Sequence, residues 1–184
     1  MDHSTNRSVV AVAGRRIDPV DAGTPRFPLD SCDRVRDDIR SRLEARLVSA
    51  VVSSAACGAD LLALDAARAL GIRCRIVLPF SRDRFRAESV VDRPGGWGGL
   101  YDAIVRDAAA RGDLVVLNEE DEDAFARTNL AILAEGERLA AGAAALRCAL
   151  VVWDGESRGA GDLTSQFKVA ASSRGWAIEE IDTR

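Results

Sequence analysis

The sequence predicts an α/β protein, a three-layer fold with a mostly parallel sheet of about six strands and helices on both faces. Two observations predict it. Short apolar β-like runs alternate with longer amphipathic stretches from Ser8 to the C-terminus. A helix between successive strands is the crossover that makes neighbouring strands parallel and covers the sheet on both sides.

In chain order, SVVAVAG (8–14) reads as a buried first strand ending at a glycine. Pro19, Pro25 and Pro28 mark the following stretch as loop. Val35, Ile39, Leu43 and Leu47 recur every four residues, an amphipathic helix with Asp30 or Ser31 as its cap. VSAVV (48–52) is the second strand, and 60–70 a second helix stopped by Gly71. RCRIVLPF (73–80) is the third strand, closed by Pro79. SRDRFRAESVVDRPGGWGG (81–99) reads as a long charged loop. A third helix follows from Gly99, with Leu100, Ile104 and Ala108 on one face. DLVVL (113–117) is the fourth strand. The acidic turn NEEDED (118–123) leads into a long helix that turns Phe125, Ile132, Gly136 and Leu139 inward. LRCALVVWDG, LTSQFKVAASSRG and WAIEEID supply the fifth strand, a last helix and the last strand.

The 184 residues are read as one domain, with residues 1–7 expected to be flexible and 47% hydrophobic content enough for a sizeable core. A net charge of −4 offers no basic excess to neutralise a nucleic-acid backbone. Lys168 is the one lysine, so anion recognition falls to arginine forks. Cys32, Cys57, Cys74 and Cys148 form no CxxC pair and read as reduced thiols of a cytoplasmic protein. The polar start carries no secretory signal, and no apolar run reaches membrane-spanning length. The one histidine, His3, lies too near the terminus for a Ser-His-Asp or Cys-His arrangement. No metal site and no cofactor is expected.

In a doubly wound sheet, ligands sit beyond the C-terminal strand ends where the strand order reverses. Four loops therefore matter. Ser53 to Asp60 contains nothing bulky. Ser53, Ser54, Gly58, Ala59 and Asp60 either let peptide N–H groups converge on an anion at a helix start, or serve tight packing with Asp60 as an ordinary cap. Asp154, Gly155, Ser157, Arg158, Gly159, Gly161 and Asp162 repeat that chemistry as a phosphate or ribose cradle, or form a surface turn before a capped helix. Gly14, Arg15 and Arg16 place two arginines at the first strand end, functional or simply solvated. Pro79 ends the third strand, and Arg84, Arg86 and Glu88 follow it as a charged lid or a screened surface loop. Trp97 stacks on a base or covers the core.

VVSSAACGADLLALDAA, RIVLPF, RFRAES, TNLAIL and VVWDGESRGAGDLT, in that order, resemble the SLOG superfamily from about Val9 to Ile181. This Rossmann-like group includes the cytokinin-activating LOG enzymes, the DprA proteins and prokaryotic nucleotide-sensing domains. The resemblance implies a nucleotide or nucleotide-sugar ligand at the strand ends, in some members an ADP-ribose-type signal of bacterial defence. It is incomplete. Gly14-Arg15-Arg16 stands where Gly-His-Arg is frequent. PGGWGGLYD precedes the fourth strand, lacks a threonine, and has Asp102 in place of the glutamate of the LOG motif. Arg86 and Glu88 are the comparable pair. The expected function is binding or sensing of a phosphorylated nucleoside or nucleotide-sugar. The alternative is cleavage or transfer at an N-glycosidic bond, with Glu88 or Asp60 as the carboxylate. LOG-like relatives pair through helices beside the site, and the alanine-rich stretches 108–110 and 140–145 would permit close packing, so a homodimer is expected.

Overall fold

The computed structural model describes residues 7–184; His3 and most of the expected flexible segment lie outside them. Six strands, β1 (Ser8–Gly14), β2 (Val48–Ser53), β3 (Arg73–Leu78), β4 (Leu114–Val116), β5 (Leu146–Trp153) and β6 (Ala177–Asp182), form one sheet in the order β4-β3-β2-β1-β5-β6. Every pairing is parallel. The α-helices are α1 (Cys32–Glu44), α2 (Ala59–Ala69), α3 (Arg82–Ser89), α4 (Trp97–Ala110), α5 (Ala124–Ala143) and α6 (Leu163–Ser173). This is a Rossmann-like α/β fold.

Strand side chains alternate between two cores, as the pleat requires. Val10, Val12, Val51, Ile76, Leu150 and Val152 face α1, α2 and α4. Val9, Ala11, Val52, Val77, Ala149 and Val151 face α5 and α6. With both faces covered, the central strands carry unbroken apolar runs. The chain steps outward from β1 to β4 with α1 to α4 on one face. It then returns through α5, on the other face, to β5 beside β1. The loops after β1 and β5 therefore diverge to opposite faces, and the crevice between them is the site this topology offers.

The sequence reading needs correction in four places. The presumed long loop after β3 contains α3, whose Ser81 side chain accepts a bond from Arg84 N–H, an ST-type cap that the dense charge of the segment obscured. Helix α4 begins at Trp97 rather than Gly99, and Trp97 is a core residue whose Nε1–H donates to Pro94 O at 2.8 Å. Helix α1 ends at Glu44, so Leu47 lies beyond it and is largely exposed; neither Asp30 nor Ser31 caps it with a side chain, because a 3₁₀ turn (Leu29–Ser31) leads in. Helix α2 starts from Gly58, and Asp60 sits inside its first turn instead of at the cap. Among the described residues no helix is long and apolar enough to cross a membrane, and no group of three or more His, Cys, Asp or Glu residues could hold a metal ion. All four cysteines are free; burial pushes Cys32 and Cys74 up to about 11 and raises Cys57, which favours the protonated thiol.

Candidate functional site

A hollow of about 380 Å³ opens at the C-terminal ends of β1, β2 and β5, within the size range of small-molecule sites. Its floor is the end of β1 (Val12 to Gly14) and the start of α2. The β1–α1 loop (15–28) and the turn after β5 form one side; α3 with its following loop, and the face of α5, form the rest.

Of the residues singled out in the sequence, Gly14, Arg15, Arg16, Ser54, Asp60, Glu88 and Arg158 line this hollow together. The loops after β1, β2 and β5 thus do meet at one place. Ser53, Gly58, Ala59, Pro79, Arg84, Arg86, Asp154, Gly155, Ser157, Gly159, Gly161 and Asp162 do not line it. Arg84 pairs with Glu88 at 2.9 Å and stacks over the Phe80 ring; Arg86 pairs with Asp102 at 2.8 Å, both exposed.

The small residues between Ser53 and Asp60 accommodate the protein's own backbone. Gly58 has φ +95°, and a Cβ there would lie 2.8 Å from Arg15 O and 2.9 Å from Ile17 N. Gly14 is similarly confined: a Cβ would strike Val152 O and lie 2.5 Å from Ala59 Cβ. The junction is therefore compact because α2 docks against the β1–α1 loop.

Five of the peptide amides at the two glycine-rich junctions are used internally and are not offered to an anion. Ala56 N–H donates to Asp60 (3.3 Å), Cys57 N–H to Ser89 O (3.0 Å) and Ala59 N–H to Arg15 O (3.1 Å). After β5, Arg158 N–H donates to Asp162 (2.7 Å) and Gly159 N–H to Ser157 Oγ (3.2 Å). Asp162 caps α6, accepting also from Thr164 N–H (3.0 Å) and Ser165 N–H (3.1 Å). Each helix start already holds a carboxylate, Asp60 at α2 and Asp162 at α6, where the local field favours an anion.

Arg15 is neither solvated nor open to a ligand. Its Nε donates to Asp154 at 2.9 Å, Nη1 to Asp162 at 2.8 Å and Nη2 to Glu156 O at 2.5 Å. All three residues of the Arg15–Asp154–Asp162 set are buried. Arg26 joins it, with Nη1 at 2.6 Å from Asp154. Arg15 and neighbouring amides hold the Asp154 and Asp162 carboxyls below their usual range against a burial effect of opposite sign. The network ties the end of β1 to the turn after β5 across the crevice.

Asp60 is the contrasting carboxyl. It is buried at the cavity floor, accepting from Ser54 Oγ–H at 2.5 Å and from Ala56 N–H. Burial pushes its pKa up to about 6, with the hydrogen bonds opposing and Arg16 acting weakly. A carboxyl poised there can accept a ligand hydroxyl or exchange a proton near neutral pH.

Five arginines (Arg15, Arg16, Arg26, Arg93, Arg158) but three acids (Asp18, Asp60, Glu88) line the cavity, in a chain of net charge −4. Its apolar part includes Phe85, Phe125 and Ile132, the two rings with centroids 6.5 Å apart. Residue-by-residue reading of the loops missed Arg26, Ser89 and Arg93, and the α5 face made by Phe125, Thr128, Asn129 and Ile132. The last group was findable, since its three- and four-residue spacing marks one helix face.

No family model and no curated protein matches the chain. Among solved structures the chain is similar to DNA processing protein A (DprA) from Streptococcus pneumoniae, at 17% identity and a TM-score of 0.42. The alignment covers 92% of this chain and 57% of that one, so the chain spans little more than half of that protein.

Proposed function

We propose that the protein binds or senses a phosphorylated nucleoside or nucleotide-sugar in the hollow at the β1/β5 switch point. The observation that carries this reading is the cavity itself, with five arginines in its lining and an apolar aromatic section beside them. Those of the arginines that are not tied into the Asp154–Asp162 network suit a phosphoryl group, and Phe85 and Phe125 suit the apolar faces of a base. The sequence resemblance to the SLOG superfamily agrees with it. Thermal-shift screening of nucleotides and nucleotide-sugars tests it. A millimolar ligand of micromolar affinity, about 1000-fold over its Kd, adds ~4 kcal/mol to stability. Absence of any shift across such a panel refutes the reading.

A second reading is favoured by Asp60. A buried carboxyl near pH 6 in a cavity that also contains Glu88 suits an enzyme acting at the N-glycosidic bond of a nucleotide. Release of free base from nucleoside monophosphates, abolished in Asp60→Asn or Glu88→Gln, would establish it. Base release unaffected by both substitutions removes both residues from the chemistry.

We also propose a homodimer. Ala141, Ala143 and Ala144, at and just beyond the end of α5, are exposed and small enough for close helix packing. Light scattering decides between one copy and two.

A further inference from the structure

We infer that the anionic end of the ligand is held by Arg16 and Arg93, on the wall formed by the β1–α1 loop and the loop after α3, and not by the glycine-rich turn after β5. The inference rests on the reading that the cavity takes a phosphorylated ligand, and it says where the phosphoryl group sits.

The hydrogen bonds that the guanidiniums already make separate the two walls. On the β5 side, Arg15 spends all three nitrogens on Asp154, Asp162 and Glu156 O. Arg26 spends Nη1 on the same Asp154 and Glu156 O, and Arg158 lies 3.7 Å from Asp162. Arg15 and Arg26 there face two buried carboxylates, Asp154 and Asp162, while the side chain of Glu156 pairs with Arg184 at 3.2 Å. The turn's own amides at Arg158 and Gly159 are also committed. Arg158 is more exposed, but a phosphate reaching Arg15 or Arg26 would have to displace ion pairs to buried carboxylates, which would then lose partners.

The opposite wall differs. Arg16 Nη2 donates to Asp92, and Arg93 Nη1 lies 3.9 Å from the same residue. Two guanidiniums thus share one carboxylate, itself about one-third exposed. Of the other acids, Glu88 is paired with Arg84, and Asp18, which lines the cavity two residues from Arg16, accepts from Arg26 N–H and Phe27 N–H. The Nε atoms of both Arg16 and Arg93 are shielded from solvent yet have no hydrogen-bond partner. Buried donors are rarely left unpaired, and here both belong to forks that line the same open space. Ser89, at the end of α3, lines the cavity beside them; its carbonyl accepts from Cys57 N–H, which ties this segment to the β2–α2 turn. Two arginine forks that share the Asp92 carboxylate retain unfilled Nε donors. A phosphomonoester or diphosphate, with several oxygens and at least one negative charge, supplies the missing acceptors.

The test is isothermal titration of the whole protein with inorganic phosphate, pyrophosphate and adenosine monophosphate, in wild type and in Arg16→Gln, Arg93→Gln, Arg93→Lys and Arg158→Gln. Arg93→Gln is expected to weaken pyrophosphate and adenosine monophosphate about 10-fold or more. Arg93→Lys, which keeps the charge and loses the fork, should fall between wild type and Arg93→Gln. Arg158→Gln should change affinity less than 2-fold. Because Arg93 is on a loop, its variants should retain the fold even if Arg16→Gln does not. Pyrophosphate binding that is lost with Arg93, in a protein that binds no nucleotide, supports the subsite and refutes the nucleotide reading. Nucleotide binding that survives Arg93→Gln, or that depends more on Arg158, leaves the nucleotide reading intact and overturns the subsite. Failure of wild type to bind any of the three overturns both.

Discussion

Replacing Arg15 by methionine keeps much of the side-chain volume and removes its charge and donors. Two buried carboxylates, Asp154 and Asp162, then lose their shared guanidinium. Breaking a buried ion pair from one side costs about 3–5 kcal/mol. The structure argues for the lower end. Asp154 keeps Arg26 at 2.6 Å, and Asp162 keeps amide bonds from Arg158, Thr164 and Ser165. About 3 kcal/mol in a domain of this size corresponds to a fall in Tm of roughly 6–12 °C. The effect must depend on pH with a definite sign. Both carboxyls have pKa values depressed in the folded protein, so their contribution is present above the unfolded carboxylate range near 4 and lost as pH falls through the folded value. The difference between wild type and Arg15→Met should therefore be full at pH 7 and shrink below about pH 4. Urea denaturation followed by circular dichroism at several pH values measures it. A loss below about 1 kcal/mol at pH 7, or one that is constant down to pH 3, refutes the claim that this network is a buried clasp between β1 and β5.

Asp60→Asn should stabilise the protein at pH 8 by about 3 kcal/mol and have little effect at about pH 3.5. A carboxyl whose folded pKa is raised to about 6 destabilises progressively as pH rises from its unfolded value through 6. Gly58→Ala should cost at least about 2 kcal/mol in urea denaturation, from a disfavoured φ and a Cβ pressed on Arg15 O and Ile17 N. Gly155→Ala, with φ +76° but open space around it, should cost about 1 kcal/mol, and an equal cost at the two sites would argue against the close approach of α2. Arg86→Ala should leave nucleotide affinity unchanged within 2-fold, since Arg86 is exposed, paired with Asp102 and outside the cavity lining.

Periodicity and punctuation alone made the order of strands and helices legible, because apolar spacing reflects which faces are buried whatever covers them. Helix α3 escaped because its stretch RDRFRAES buries little besides Phe85 and Ser89, too few residues to reveal a helical period. The meeting of the loops after β1, β2 and β5 followed from predicting a parallel doubly wound sheet, since such a sheet gathers its strand ends at one edge.

What the sequence determined by itself was the fold class and the edge of the sheet where a site would form, both consequences of local pattern. Only the tertiary structure decided how each arginine is paired. Arg15 and Arg16 are adjacent in the chain and alike in chemistry. One is buried between two carboxylates 139 and 147 residues away, while the other shares an exposed aspartate with Arg93. The reason is physical: hydrophobic pattern is written along the chain, whereas charge compensation depends on pairings between segments that no local spacing records.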